Sequence, residues 1–386
     1  MKQKLFLAAM AAIAMTSCSN DETLEINTGT ERAIDFRTAM ATRATETTTG
    51  DLKEFYVTAF NENIIEAPYF KDVKFFKPEN KNLFSSEDTY YYPGDGSKLT
   101  FYAYAPSAEK LNASVETVYN ETTKEMTLKN FSPAETITDQ VDFITANTTG
   151  SKDDAVTGVP LEFKHRLSQI EILGVNQQQD TYRFEIKGIR IANAVSKGDF
   201  DFMKDKDQWN LSEEEKHIYQ YDYETPITVG SLFTSLTKEC GGAMLLPQQL
   251  TKWDAANDNT NEAKGAYISF FMRITTKDGA LVYPFKAEAE KGATHAWAAV
   301  PIGTTWEAGK KYRYNMSFHL GAGYVDPNQE TSNPGKPILD GEIEFKVTVE
   351  DWGASIEHDN LGDNPNEFPD VEIPDENEGE DPFGDE

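Results

Sequence analysis

Apolar residues recur at every second position along most of this chain. That period is what most limits its fold, because it is the period of a half-buried strand. Phe55, Val57 and Ala59 alternate with Tyr56, Thr58 and Phe60, and Leu99, Phe101 and Ala103 alternate with Thr100, Tyr102 and Tyr104. Near 33–40, Ile34, Phe36 and Met40 share a face opposite Asp35, Arg37 and Ala39. Ile343, Phe345, Val347 and Val349 close the series, alternating with Glu344, Lys346, Thr348 and Glu350. Further strands are expected at 69–76, 125–131, 141–146, 159–175, 181–195, 243–246, 266–275, 280–286, 294–301 and 311–320. Only 211–218 reads as helical, and it is short. Short strands set apart by turns such as Pro93-Gly94-Asp95-Gly96 imply an all-β chain. The expected form is two antiparallel β-sandwich-like domains with Greek-key type connections.

The alternation slips once. Val159, Leu161, Phe163, His165 and Leu167 share a face, but the next apolar pair is Ile170 and Ile172, an odd step away. A strand that changes parity must bulge, twist or pass from one sheet to another. The boundary between an N-terminal domain, 18–165, and a C-terminal domain, 166–352, is therefore placed here.

The two ends differ in kind from the middle. Lys2 and Lys4 precede the apolar run Leu5 to Met15, then come the small residues Thr16 and Ser17, and then Cys18. A charged start, about ten apolar residues and a small-residue exit make a secretory signal, 1–17, too short to span a membrane. A cysteine directly after the exit makes it similar to a bacterial lipoprotein signal, with Cys18 as the lipidated residue. Two or more acyl chains on it satisfy the requirement for stable anchoring. At the other end, 353–386 holds thirteen acidic side chains and no Lys or Arg. Such a segment self-repels and buries too little apolar surface to offset its ordering entropy, so a disordered acidic tail is expected.

Charge and motifs narrow the function. Asp and Glu number 65 against 36 Lys and Arg, a net −29 that repels phosphate backbones and argues against nucleic-acid binding. With Cys18 acylated, Cys240 has no intramolecular partner, and two cysteines make neither a disulfide framework nor a four-cysteine zinc site. There is no Gly-x-Ser-x-Gly elbow, no His-Glu-x-x-His, no phosphate-binding glycine loop and no dinucleotide fingerprint. The histidines, at 165, 217, 295, 319 and 358, lack ligand spacing. His165 and His319 fall on strands among apolar residues, the setting of a hydrogen-bonded structural histidine. Asp254 to Glu262 has the composition of a calcium loop without its glycine and spacing, and reads as a solvated loop. No catalysis, cofactor or metal is expected. Trp253 and Tyr90-Tyr91-Tyr92 are candidates for sugar stacking, with core or turn packing as the plainer use.

In order along the chain, several fragments together resemble the fimbrillin family, the lipoprotein pilins of type V fimbriae. They are Met15-Thr16-Ser17-Cys18 followed by Ser19-Asn20-Asp21-Glu22, Ile34-Asp35-Phe36, Thr42-Arg43-Ala44-Thr45, and Leu52-x-x-Phe55-x-Val57-x-Ala59-Phe60. Then come Asp142-Phe143-Ile144-x-Ala146, Leu161-x-Phe163-x-His165-x-Leu167 and Leu245-Leu246-Pro247-Gln248. Trp306-x-Ala308-Gly309-Lys310-x-Tyr312-x-Tyr314 and Val347-x-Val349-x-Asp351-Trp352 complete the set.

The resemblance implies a surface-exposed lipoprotein of the outer membrane, cleaved after an arginine beyond its first strand. Loss of that strand opens an apolar groove, which a strand of another subunit fills by β-augmentation. In this sequence the removable strand is 33–40, and the cut follows Arg43, which sits in a Thr/Ala-rich stretch that a protease can reach. Arg37 is the second choice, since it lies inside the alternating strand. The donor candidate is 338–350, offering Ile343, Phe345, Val347 and Val349, with a fixed last strand of the C-terminal domain as the alternative. The implied partners are other fimbrial subunits, the outer membrane through the lipid, and host or bacterial surface ligands. The competing reading is a lipid-anchored adhesin or glycan-binding module that never polymerises. A carboxylate-based hydrolase has no motif behind it.

Overall fold

The computed structural model describes residues 33–352 apart from 41–51, 65–66, 80, 123–124, 206–207, 261, 320 and 329–332. The expected signal, Cys18, Arg43 and the acidic tail lie outside the described residues. The first half of the chain forms β1 (Phe36–Met40), β2 (Glu54–Asn61), β3 (Phe70–Phe76), β4 (Ser85–Ser86), β5 (Leu99–Ala105), β6 (Glu116–Asn120), β7 (Glu125–Phe131), β8 (Ile144–Gly150) and β9 (Val159–His165). The second half forms β10 (Ser168–Asn176), β11 (Tyr182–Val195), β12 (Gly198–Asp201), β13 (Trp209–Leu211), β14 (Lys216–Thr228), β15 (Thr234–Ser235), β16 (Ala243–Leu245) and β17 (Gln248–Gln249). It continues with β18 (Tyr267–Thr276), β19 (Leu281–Tyr283), β20 (Ala296–Pro301), β21 (Thr305–Trp306), β22 (Lys310–Phe318), β23 (Gly321–Val325), β24 (Pro337–Leu339) and β25 (Glu344–Asp351). The α-helices among the described residues, α1 (Ala108–Leu111) and α2 (Lys286–Ala289), are one turn each.

The parity slip marks a hand-over between sheets. β9 belongs to a sheet ordered β1-β9-β8-β5-β2-β3-β4, whereas β10 belongs to one ordered β15-β10-β22-β25. The Arg166-Leu167 step between them re-aims the chain, so Ile170 and Ile172 face a different core from Leu161 and Phe163. In the second half, the sheet of β10, β22 and β25 packs against the sheet ordered β14-β11-β18-β20-β23-β24. Ile170, Ile172, Tyr314, Met316 and Phe318 on one side meet Ile189, Ile191, Ile268, Phe270 and Met272 on the other. The fold is all-β and mainly antiparallel. Two parallel pairs stand out, β1 with β9 and β10 with β22.

In the first half the alternation feeds two cores. Phe55, Val57 and Ala59 of β2 and Phe101 and Ala103 of β5 point inward. Phe60 and Tyr104 point outward beneath a small sheet ordered β13-β12-β7-β6. That small sheet crosses the expected boundary, because β12 comes from the second half and pairs with β7.

The expected helix at 211–218 is a correction. Ser212 to Glu215 form a turn, in which the Glu215 N–H donates to the Ser212 carbonyl, and β14 follows. Local helix propensity loses there because both flanks find ladders, with Leu211 on Gly198 and Lys216 on Val195. Trp253 takes the plainer use, core packing, and not sugar stacking: it is 1% exposed, and its indole N–H donates to the Asp258 carbonyl at 2.9 Å. His319 lies one residue past β22 and is exposed, not on a strand among apolar residues.

Candidate assembly groove

β1 fills a seam in the first-half sheet. On one side it runs parallel to β9, with Phe36 opposite Val159 and Met40 opposite Phe163. On the other, Phe36 exchanges both backbone hydrogen bonds with Phe84, at 3.0 and 2.9 Å, and the Ile34 N–H donates to the Tyr90 carbonyl. Phe84 directly precedes β4, the opposite end of that sheet, so β1 closes the sheet on itself. A short strand bonded on both edges is tightly held, yet its removal exposes unpaired backbone along both walls.

The side chains follow the alternation. Ile34 and Phe36 are buried, and Arg37 and Ala39 are exposed. Phe36 has no exposed surface and stands edge-on to Phe75 at 4.7 Å, Phe101 at 5.1 Å and Phe55 at 5.8 Å. The floor beneath it is therefore a box of aromatic rings. Gly158, at φ +74°, ends the wall: a Cβ there would sit 3.2 Å from the Phe36 carbonyl carbon and 2.9 Å from Leu83 Cδ2. Glycine at that position lets the backbone of β1 lie against the turn into β9. Tyr92 is buried nearby, and burial first, then the charges of Asp154 and Asp35, push its phenol above the ordinary range. Arg37 sits inside β1 in register with Pro160, where the backbone is laddered to β9.

The donor candidate is seated elsewhere. β25 pairs with β22 along its length and forms the edge of its sheet. Ile343 is 2% exposed, Phe345 and Val347 are half-buried against the second-half core, and Val349 is 54% exposed. Burial thus fades along the strand, and its far edge has no neighbouring strand among the described residues. On its other face Arg313 bridges Glu171 at 2.9 Å and Glu350 at 3.4 Å.

The fragments quoted from the sequence meet at one junction. His165, the last residue of β9, stacks on Trp352 with ring centres 4.3 Å apart and planes 7° from parallel. Its Nδ1 lies 2.8 Å from Asp142 Oδ2. The Trp352 N–H donates to the Gly309 carbonyl, and the Gly309 N–H to the Leu167 carbonyl. Phe143, Leu167, Leu246 and Trp352 share a core there. In the sequence these residues stand in separate fragments with no common place. The spacing of single residues carries no signal for a contact between positions 142, 165 and 352.

No group of three His, Cys, Asp or Glu side chains among the described residues could hold a metal ion. The Asp254 carboxylate accepts bonds from the Asn257 side chain and backbone and from the Ala256 N–H, which hold its pKa below the usual range. That loop is capped by its own residues. Burial pushes the Cys240 thiol up, away from the thiolate form a nucleophile needs.

The chain can now be set beside known proteins. Over 225 residues it is 28% identical to a fimbrium subunit, Fim1C, of Phocaeicola vulgatus. That match covers 50% of this chain and spans 57% of the relative's length. The fold is similar to a crystal structure of a fimbrial protein from Bacteroides vulgatus, at a TM-score of 0.54 and 16% identity. That likeness covers 83% of this chain and 99% of the other. The model of the fimbrillin-like family matches residues 42–352, starting just after β1. The chain belongs to the fimbrillin-like family.

Proposed function

We propose that this chain is a structural subunit of a cell-surface fimbria, exported as a lipoprotein anchored through Cys18 and assembled by strand replacement. Cleavage after Arg43 releases β1, and the groove then takes residues 338–350 of another subunit. The observation that carries this reading is the seating of β1: a five-residue strand laddered to β9 and bonded at Phe36 to Phe84 on its other edge, whose Phe36 fills a box of three rings. An incoming strand of the same period would regain the ladder bonds and refill the box. The donor candidate has an apolar residue at every second position, and it lies at a sheet edge. The match to the family model from residue 42 onward agrees with a functional unit that excludes β1.

Two results test the two ends of this reading. Digestion with an arginine-specific protease leaves a folded fragment whose N-terminal sequence starts at Ala44. A fragment with its new terminus anywhere inside 70–352, and none within 33–50, contradicts the processing step. Cys18→Ser leaves the precursor unlipidated and absent from the outer-membrane fraction. Normal partition of that variant removes the anchor from the account.

A further inference from the structure

β9 is held unevenly. Its residues Val159 to Phe163 are in register with β1, whereas its register with β8 covers only Lys164 and His165. When β1 leaves, the stretch that an incoming strand must read loses that ladder and keeps β8 only as a flanking strand, with Gly150 packed against Val159. Burial of Val159, Leu161 and Phe163 still holds β9 against the core. Burial alone does not fix register, because a slip of two residues keeps the same face inward.

The fixed point is the other end of the strand. His165 is 6% exposed, hydrogen-bonded to Asp142 and stacked on Trp352. Next to it, the Arg166 N–H donates to the Phe143 carbonyl and its Nε donates to Thr145 Oγ1 at 2.6 Å. A stack at 4.3 Å between two buried rings tolerates no slip of about 3.3 Å, the rise of one strand residue.

We propose that the Asp142–His165–Trp352 stack is the register pin of the empty groove. These are positioning residues that keep β9 aligned as a template after β1 has gone and before a strand of a second copy enters. The proposal rests on the strand-replacement reading above. Trp352 follows β25 directly, so the pin also ties the groove wall to the end of the donor candidate in the same chain.

The test is hydrogen exchange at the amides of 159–163, with the groove full and empty. The groove is emptied by arginine-specific cleavage with removal of the released strand, or without protease by Phe36→Asp in the full chain. Wild type is compared with Trp352→Leu, which keeps an apolar group in place, and with His165→Ala. With β1 seated, exchange in both variants stays within about threefold of wild type, because the β1 ladder holds β9. With the groove empty, both variants exchange at least tenfold faster than wild type. A synthetic peptide copying 338–350 then restores protection in wild type at concentrations that fail in the variants. Equal acceleration by the variants in both states would mean a merely structural role and overturn the pin, as would equal exchange of all three proteins in the empty state. If the variants differ only when the groove is empty and the peptide protects none of them, the pin stands and the donor assignment fails.

Discussion

Phe36→Ala lowers the unfolding free energy of the uncut chain by about 3–5 kcal/mol, the usual cost of deleting a fully buried phenylalanine. Phe36 is completely enclosed, and its three edge-on ring contacts add to the area it buries. The side chains around it belong to laddered strands, β2, β3 and β5, so the cavity cannot collapse cheaply. Urea unfolding followed by tryptophan fluorescence measures it: the midpoint falls, and the slope stays as in wild type if the unfolded surface is unchanged. The same substitution should leave the cut fragment's stability untouched, because the residue departs with β1. A loss below about 1 kcal/mol in the uncut chain would mean that β1 is not seated in the core as described.

Val347→Asp abolishes polymer growth while leaving a folded monomer. Val347 is half-buried at home, opposite Tyr314 of β22, so the carboxylate keeps some solvent in the monomer. In a neighbour's groove the same position would meet an apolar pocket. Losing one buried aliphatic contact of about 1.5–3 kcal/mol weakens subunit association by roughly ten- to a hundredfold, before the cost of desolvating a charge. Once cut in the same way, the variant still offers an intact groove, so added to cut wild type it should accept a strand, donate none and shorten the polymers. Light scattering during size exclusion reads both effects. Undiminished polymers from a folded Val347→Asp protein would make some other segment the donor.

The period-two pattern was enough to place most strands, because alternation records which face of a sheet is buried. The odd step between Leu167 and Ile170 was informative for the same reason: a parity change in a buried strand has to be absorbed by the backbone, and here the chain changes sheets. What alternation does not record is the partner. Nothing in 33–40 says that β1 lies parallel to β9, nor that the hairpin of β12 and β13 returns to β7. At 211–218, three consecutive glutamates suggest a helix, but they occupy a turn between two long-range ladders. For Trp253 core packing was the plainer expectation and the fold agrees, with the Asp258 carbonyl of the following polar loop accepting its indole N–H. The Asp142, His165 and Trp352 contact joins residues separated by much of the chain, which only the folded chain reveals.

Sedimentation of the cut wild-type protein tests the central claim most directly. The chain is cleaved by an arginine-specific protease, the released N-terminal piece is removed, and the fragment is spun beside the uncut chain. Strand replacement predicts a series of species at integer multiples of the subunit mass, absent from the uncut sample and suppressed by excess peptide copying 338–350. A cut protein that stays monomeric and melts at the same temperature as the uncut chain would contradict it.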